Sequence, residues 1–393
     1  MNQFDDIRPY RDSEVPNTLA RLIADPEFID LLLSRKVPLL MRYIPWLFMP
    51  LARPLLRRSL RKLTADVKSV EDFQSHMTKS LKSILDKTTD GYSFGGLGQL
   101  DPNKAYLFIS NHRDIALDPA MVCLALHTVN LDTVRIAIGD NLLSKPFASD
   151  LMRVNRSFIV KRSATGRREK LEALKTLSSY IRHSIIDEKV SCWIAQAEGR
   201  AKDGNDRTET ALLKMLALSK SRSQSFGDAI ADLQLMPVSL SYEYDPCIAD
   251  KANELFTASQ GQSYIKKEFE DLDSIQKGFV GYKGRIQVNF GDAISGDFSD
   301  ADELAAEIDR QICCLYQLFP TNIIAWQMQA ERDANTVELL KQQWPNENWS
   351  EAQARFKAHL DSIPNNQRAL VIKVYATPVD KQLAYQQTNA NNL

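Results

Sequence analysis

The sequence predicts an α/β protein with a mainly parallel central sheet covered by helices, an N-terminal amphipathic helical segment and a C-terminal helical addition. Three observations lead to this class. A basic amphipathic stretch lies near the start of the chain, β-rich and helical runs alternate from about residue 103, and helical patterns follow residue 300. We therefore expect three regions, which cover residues 1–94, 95–300 and 301–393.

The N-terminal region contains a basic stretch with the pattern of an amphipathic helix. Between Arg35 and Lys68 nine residues are basic and one is acidic, so the stretch carries +8 in a chain whose formal net charge is -1. On a helical wheel the basic residues from 53 to 62 fall on one half and the leucines on the other. This pattern is typical of helices that lie on anionic membranes, although the apolar half would also suit packing on the protein. The residues expected to contact the membrane are Trp46, Phe48, Arg53, Arg57, Arg58 and Arg61.

Composition and targeting signals limit the class of protein further. Hydrophobic residues make up 44% of the chain and charged residues 25%, which excludes a wholly disordered protein. The near-zero net charge gives no sign of a nucleic-acid partner. No run reaches the ~20 apolar residues that a spanning helix needs, and the N-terminus lacks the apolar part of a secretory signal. We expect a cytoplasmic protein that binds peripherally to the inner face of the membrane.

Cysteine and histidine usage gives no indication of a metal centre. The five cysteines form no C-x-x-C pair, which is typical of reduced thiols in the cytosol. The five histidines show neither H-x-x-x-H nor H-E-x-x-H spacing. We therefore expect no metal site.

The central region alternates between short β-rich runs and helical patterns, which predicts a largely parallel sheet with functional loops after the carboxyl ends of its strands. The predicted strands are residues 105–110, 133–139, 157–160, 190–195, 235–241 and 285–290, and the predicted helices are 118–127, 166–186 and 208–220. Helical patterns at 301–318 and 350–360 follow. The last fifteen or so residues are rich in Asn and Gln, so we expect them to form a frayed tail.

A histidine and an aspartate follow the first strand of this sheet. The apolar run ends at Ser110, His112 lies in the polar loop, and Asp118 and Pro119 have the pattern of the N-cap and N1 positions of a helix. A carboxylate bonded to one ring nitrogen would leave the other nitrogen free to accept a proton, which is the arrangement of a general base. A structural histidine beside an aspartate that only caps the helix is the alternative.

Four segments, in order, resemble the motifs of the glycerolipid acyltransferase family that includes 1-acylglycerol-3-phosphate acyltransferases. Residues 110–120 (SNHRDIALDPA) are similar to the first motif, in which Asn-His is followed by four residues and Asp. Residues 154–162 (VNRSFIVKR) resemble the second motif and 197–200 (AEGR) the third, which normally reads Pro-Glu-Gly-Thr. Residues 235–239 (LMPVS) resemble the fourth. The resemblance covers about residues 95–295 and implies that this region is an acyltransferase core.

Two departures from the family pattern affect the expected site. Five residues rather than four separate His112 from Asp118, so either the loop absorbs the insertion or Asp114 takes the partner role. We favour Asp118, because its predicted cap position matches the family. The second departure is Arg200, which stands where the third motif usually has threonine and adds a cation suited to a phosphate-bearing substrate.

The resemblance implies that the protein transfers a fatty acyl group from an acyl thioester, either acyl-CoA or acyl carrier protein, to a hydroxyl of a glycerolipid precursor such as 1-acylglycerol-3-phosphate. His112 would remove the proton from that hydroxyl, and no cofactor would be needed. Another lysolipid or glycerol-3-phosphate as acceptor, and a catalytically inactive membrane scaffold of the same fold, are the alternatives. The residues expected to bind substrate are Asn111, Arg113, Arg156, Arg162, Glu198, Gly199 and Arg200.

A second catalytic pattern is present but lacks its structural context. Residues 91–95 (GYSFG) match the G-x-S-x-G nucleophile elbow, which must join a strand to a helix. Residues 85–90 do not have a strand pattern, and the glycines of residues 95–100 do not favour a helix. We therefore interpret the match as a coincidence.

Overall fold

A computed structural model describes residues 3–36, 45–267 and 269–391. The chain divides into two structural units that alternate along the sequence. The first unit comprises Met1–Leu81 and Arg135–Tyr180, and the second comprises Lys82–Val134 and Ile181–Leu393.

The elements are numbered in chain order. The strands are β1 (Gly91–Gly95), β2 (Leu107–Ser110), β3 (Arg135–Gly139), β4 (Ser157–Val160), β5 (Cys192–Ala195), β6 (Leu235–Tyr242) and β7 (Arg285–Phe290). The helices are α1 (Val15–Ala24), α2 (Pro26–Lys36), α3 (Pro45–Leu63), α4 (Val70–Thr88), α5 (Leu117–Thr128), α6 (Pro146–Val154), α7 (Arg167–Arg182), α8 (Thr210–Leu216), α9 (Phe226–Ala231), α10 (Ile248–Ser259), α11 (Glu270–Val280), α12 (Ala301–Leu315), α13 (Pro320–Gln327), α14 (Ala334–Lys341), α15 (Trp349–Asp361) and α16 (Arg368–Asn391).

The sheet of the second unit brings three parallel strand ends to one edge. Its strands are ordered β1-β7-β6-β2-β5. Strand β2 is parallel to β5 and β6, β1 is parallel to β7, and β6 and β7 are antiparallel. Every residue of β2 and β6 is buried, which explains why both sequences are nearly continuous apolar runs rather than alternating ones. The predicted class, a mainly parallel sheet covered by helices, is confirmed.

The first unit contains a parallel pair of strands and its own apolar core. Strands β3 and β4 pair with Ile136 opposite Ser157. The core joins one face of α1, including Val15 and Leu19, to Phe147 of α6 and to residues at the start of α4. The apolar residues of α1 recur at helical spacing, so one side of the helix is buried while the other faces water.

All six predicted strands are present, with bounds that differ by at most two residues at each end. Strand β1 was not predicted, because its five residues begin and end with glycine and show no apolar run. It pairs with β7 in parallel. Ser93 therefore lies in the middle of a strand rather than on a strand-to-helix turn, which agrees with the interpretation of G-x-S-x-G as a coincidence.

The C-terminal residues differ from the expected frayed tail. Helix α16 continues to Asn391, and Val371, Tyr375 and Val379 on one of its faces are buried. They pack in one core with α13 and with Phe356 of α15. The prediction of a frayed tail was wrong for residues 379–391, which continue the helix. Polar side chains of this segment bind the rest of the protein: Asp380 accepts from the indole of Trp326, and Gln382 donates to the carbonyls of Cys313 and Tyr316.

Candidate functional site

His112 and Asp118 are in contact at the carboxyl end of β2. His112 lies two residues after the strand, and its Nδ1 is 2.8 Å from Oδ2 of Asp118. The Asp118 side chain is fully buried, and that of His112 is 14% exposed. Because an ionised carboxylate only accepts hydrogen bonds, Nδ1 carries the proton in this contact and Nε2 is left with its lone pair.

Four donors converge on the Asp118 carboxylate. Besides His112, Oδ2 accepts the backbone N–H groups of Arg113 at 2.6 Å and Asp114 at 2.9 Å. Oδ1 accepts the hydroxyl of Tyr242, the last residue of β6, at 2.8 Å. Burial, followed by the charge of Asp118, raises the pKa of Tyr242 well above its usual value, so the phenol stays protonated as a donor. Hydrogen bonds of this kind stabilise the ionised carboxylate and fix the orientation of the imidazole.

The loop accommodates the additional residue of the first motif because Asp114 caps the start of the helix that follows. Oδ1 of Asp114 accepts the backbone N–H groups of Ala116 at 3.0 Å and Leu117 at 2.8 Å. Helix α5 therefore begins at Leu117, and Asp118 lies in its first turn rather than at the N-cap, where the sequence placed it. Of the two aspartates considered as partner of His112, Asp118 makes the contact, and Asp114 caps the helix.

Two predicted substrate-binding residues of this loop make their described contacts within the protein, and their contact with substrate stays a prediction. The amide of Asn111 is fully buried and bonded to both backbone atoms of Leu240, as donor to the carbonyl at 2.9 Å and as acceptor from the N–H at 2.8 Å. The guanidinium of Arg113 is buried, lies over the ring of Tyr316, and forms an ion pair with Asp206 at 2.6 Å. Both side chains hold the loop in place, a function that their positions in the motif do not reveal.

Asp206, the ion-pair partner of Arg113, is in contact with helix α16 of the C-terminal addition. The ammonium of Lys381 in α16 donates to the backbone carbonyl of Asp206. A Cβ atom at Gly204 would clash with the backbone carbonyl of Val374, also in α16. The loop that contains Asp206 therefore lies directly against the last helix.

A pocket of about 540 Å³ opens beside His112. Its lining includes Glu198, Gly199 and Arg200, the third-motif residues that the sequence predicted to bind substrate. Gly199 adopts φ +80°, a conformation that favours glycine. Arg200 donates from Nη2 to the hydroxyl of Ser274 at 3.3 Å, whereas its Nη1 is buried with no hydrogen-bond partner among the described residues. The structure thus gathers His112 and these three residues around one pocket.

The remaining predicted substrate ligands, Arg156 and Arg162, belong to the first unit. Arg156 has φ +58° and its carbonyl accepts the backbone N–H of Ile136. The backbone N–H of Arg162 donates to Asp140 at 3.1 Å, and its guanidinium lies near Gly139. Contact of either arginine with substrate stays a prediction.

The predicted membrane-binding face of α3 is divided in the structure. Arg53 forms a bidentate pair with Asp30, with both distances 2.7 Å, and Arg57 donates to the carbonyl of Ala24 at 2.9 Å, so these two arginines point toward neighbouring helices. The exposed residues include Leu51, Leu55, Arg58, Arg61, Lys62 and Leu63. Trp46 and Phe48 were also predicted to contact the membrane, but their side chains are not among those that the structure describes. Within the described chain, the helices are too short or too polar to cross a membrane.

Sequence reasoning missed the residues that reach this site from other strands. Tyr242 contacts Asp118 from the end of β6, and the indole of Trp193 in β5 lies edge-on to His112 with ring centroids 5.9 Å apart. The indole N–H also donates to the hydroxyl of Ser110 at 3.0 Å. The available signal was that each residue belongs to a predicted strand neighbouring the histidine loop, but the strand order that makes them neighbours is a tertiary property.

Comparisons with known proteins bear on this pocket. Residues 92–216 match the family model described as Acyltransferase, which confirms the resemblance stated from the first three motifs. No curated protein matches the chain. Among solved structures, the 1-acyl-sn-glycerophosphate (LPA) acyltransferase PlsC from Thermotoga maritima is similar at 11% identity and a TM-score of 0.37, over 63% of this chain and 82% of that chain. Among the described residues, no group of three or more His, Cys, Asp or Glu side chains is placed to hold a metal ion.

Proposed function

We propose that this chain, whose residues 92–216 form an acyltransferase-family domain, transfers a fatty acyl group from an acyl thioester to a hydroxyl of a glycerolipid precursor, with 1-acylglycerol-3-phosphate as the favoured acceptor. The observation that carries this proposal is the contact of His112 with the buried Asp118 at the mouth of a pocket. An alcohol is a weak nucleophile, and a histidine of fixed tautomer beside an open pocket is suited to activate it.

The proposed reaction uses His112 first as a base and then as an acid. Nε2 takes the proton of the acceptor hydroxyl while its oxygen attacks the thioester carbonyl carbon. The Asp118 carboxylate stabilises the imidazolium that forms. The tetrahedral intermediate then collapses, the carbon–sulfur bond breaks, and the proton passes from Nε2 to the departing thiolate. The products are an ester and a free thiol, and no cofactor enters the step.

Arg200 supports the choice of a phosphate-bearing acceptor. One of its nitrogens is buried without a partner beside the pocket, and a phosphate oxygen would satisfy it through a charge-assisted hydrogen bond. Lys202, which lies close in sequence, pairs with Glu254 and is engaged elsewhere. Glycerol-3-phosphate and other phosphorylated lysolipids share this chemistry and are the alternative acceptors, and acyl-CoA and acyl carrier protein are the alternative donors.

The exposed residues of α3 support docking on the inner membrane surface. Leu51 and Leu55 are 70% and 68% exposed, and Arg58 and Lys62 continue the same stripe of the helix. The lipid headgroups of an anionic membrane would attract Arg58 and Lys62, and Leu51 and Leu55 would insert at the boundary between headgroups and acyl chains. In this proposal, lipid substrates reach a cytoplasmic enzyme that is bound peripherally.

The catalytic proposal is tested with purified protein, a panel of lysolipid and glycerol phosphate acceptors, and both thioester donors. We expect transfer by the wild type and none by His112→Ala. His183→Ala is the matched control, because His183 also pairs with an aspartate, Asp187, at 2.7 Å but lies outside the pocket. Transfer that survives in His112→Ala, or absence of transfer by the wild type with every pair of substrates, contradicts the proposal. The second result favours the inactive scaffold.

The membrane proposal is tested by flotation with anionic liposomes at low and high salt. Replacing Arg58 and Arg61 by glutamate should abolish flotation, because both side chains are exposed. The control replaces Lys170 and Lys175 of α7 by glutamate, an identical change of charge at exposed positions on another helix. Equal loss of flotation in both variants would show that only net charge matters and would contradict docking through α3.

A further inference from the structure

A glutamine that no motif identifies lies in the same pocket as His112. Gln196 directly follows β5, whose last residue Ala195 pairs with Ser110 at the end of β2. Because β2 and β5 are parallel, the residues that follow them emerge at the same edge of the sheet. Gln196 and His112 both line the pocket.

The side-chain oxygen of Gln196 is buried and unsatisfied. The residue is 2% exposed, and Oε1 has no hydrogen-bond partner among the described residues. Its backbone, in contrast, is fully used, because its N–H donates to Ser110 at 2.8 Å and its carbonyl accepts from Glu209 at 2.9 Å. The backbone hydrogen bonds therefore fix the position of Gln196, while its side-chain oxygen has no hydrogen-bond partner among the described residues.

Two hydroxyls in this part of the protein, those of Ser110 and Thr208, are already committed to other partners. The hydroxyl of Ser110 donates to the carbonyl of Asn111 and accepts from Trp193. The hydroxyl of Thr208, which also lines the pocket, donates to Asp309 at 2.6 Å. A buried amide without a partner costs free energy that an apolar side chain of the same size would avoid, so its presence needs a reason outside the free protein.

The chemistry of an amide identifies what would satisfy Gln196. A hydroxyl that gives its proton to Nε2 of His112 still has lone pairs, and the amide NH2 group can donate to one of them. The amide oxygen can accept from a further hydroxyl of the same headgroup. We propose that the side chain of Gln196 hydrogen-bonds the hydroxyl-bearing headgroup of the acyl acceptor beside His112. This inference rests on the proposed function and adds a specificity-determining residue to it.

Gln196→Met tests the inference, since methionine has a similar length and forms no comparable hydrogen bonds. We expect the KM for the acceptor to rise roughly 3- to 10-fold and the KM for the acyl donor to stay unchanged. The thermal midpoint should stay the same or rise. Gln196→Glu should raise the acceptor KM at least as much, because a carboxylate at neutral pH has no donor and repels a phosphate. Gln224→Met is the control, as Gln224 pairs with Asp232 outside the pocket.

The outcomes separate this inference from the proposed function. Absence of acyl transfer by the wild-type protein overturns both. Transfer by the wild type with an unchanged acceptor KM in both Gln196 variants overturns the inference alone. A rise in both KM values together with a lower thermal midpoint also overturns it, because that pattern indicates a structural role. A rise confined to the acceptor KM supports it.

Discussion

The loops that follow β2 and β5 are neighbours at one edge of the sheet, yet they differ in how far their buried polar groups find hydrogen-bond partners within the protein. After β2, the Asp118 carboxylate receives four hydrogen bonds and the amide of Asn111 is paired with Leu240. After β5, Oε1 of Gln196 and Nη1 of Arg200 are buried with no partner among the described residues. The groups around His112 in the first loop are paired before any substrate arrives, although Nε of Arg113 is also buried with no partner among the described residues. The unpaired groups of the second loop differ because they belong to residues that line the pocket, where a ligand can pair with them.

This difference separates the part of the site that performs chemistry from the part that selects a substrate. A general base must be held in one orientation at all times, so its partners belong to the protein. A binding wall must exchange partners with water and ligand, and each unsatisfied buried group there costs about 1–3 kcal/mol in the free protein. Changes to Asp118 and its donors should therefore lower kcat, and changes to the pocket residues after β5 should raise KM at little cost in stability.

The largest effect is expected for Asp118→Asn. The neutral amide no longer stabilises the imidazolium and can force the other histidine tautomer, so kcat should fall on the order of 10³-fold. Steady-state kinetics on folded protein, verified by circular dichroism, measures this. Asp187→Asn is the control, because it changes the other histidine–aspartate pair, at the surface. A kcat for Asp118→Asn within tenfold of the wild type, about 1.4 kcal/mol, would show that the β2 loop is not the catalytic part.

The next effect concerns stability and its dependence on pH. Burial, and then the charge of Asp118, raise the pKa of Asp114 to about 6, so the folded state favours its protonated form. This contribution to stability is present below the unfolded pKa near 3.8 and is lost as pH rises through about 6, because a buried carboxyl must then ionise. Asp114→Asn keeps the cap but does not ionise. As the pH rises from about 4 to about 7, the free energy of unfolding of Asp114→Asn should increase by about 2–3 kcal/mol relative to that of the wild type, which urea unfolding measures.

A control with the opposite sign is available at another helix cap. Hydrogen bonds from the side chain and backbone of Thr336 lower the pKa of the exposed Asp333. Asp333→Asn should therefore lose stability relative to wild type as pH rises above about 4. If Asp114→Asn and the wild type have the same pH dependence, the Asp114 carboxyl is not held in its protonated form.

Arg200→Met tests the binding wall after β5. Loss of a charge-assisted bond to a phosphate oxygen should raise the acceptor KM about 10- to 100-fold and leave kcat within a few-fold. The thermal midpoint should fall only slightly, because the hydrogen bond lost within the protein is the 3.3 Å bond to Ser274, and the buried Nη1 has no partner among the described residues. Arg222→Met, at an exposed position outside the pocket, is the control. A large fall in kcat with an unchanged acceptor KM would assign Arg200 to the catalytic side of the comparison.

The smallest effect is expected for Tyr242→Phe, which removes one of the four donors to Asp118. This bond helps to hold the Asp118 carboxylate in the orientation that its contact with His112 needs. A single hydrogen bond to a carboxylate contributes about 1–2 kcal/mol, so kcat should fall roughly 5- to 30-fold while the acceptor KM stays constant. Tyr244→Phe, two residues away, is the control. An effect on KM alone would contradict a role through Asp118.

The sequence allowed the catalytic pair to be predicted because its signal is local. Asn-His at the end of an apolar run, with Asp118 six positions after the histidine, needs only the chain order to be recognised. The six strands were recognisable for the same reason, since each is a short apolar or β-branched run. Strand β1 and helix α16 were not, because glycines hide the first and a polar composition hides the second.

The rest of the site depends on distances that only the folded chain sets. Asn111 and Arg113 have the residue types of substrate ligands, but strand order turns them toward Leu240 and Asp206. Arg53 belongs to the basic face of the helical wheel, yet the position of α2 pairs it with Asp30. Gln196 carried no signal at all, because an unsatisfied amide can be recognised only when every neighbouring partner is known.

The contact between Lys381 and Asp206 has a consequence for the order of events during folding. The two residues are 175 positions apart, so this contact closes a longer loop than the pairing of β2 with β6, in which Leu107 and Leu235 are 128 positions apart. Contacts of such separation form late, because their entropy cost is met only after local structure is in place. The pocket wall should therefore form after β2 and β6 have paired. A pulse of hydrogen exchange during refolding would find β2 and β6 protected first and the segment around Asp206 protected last.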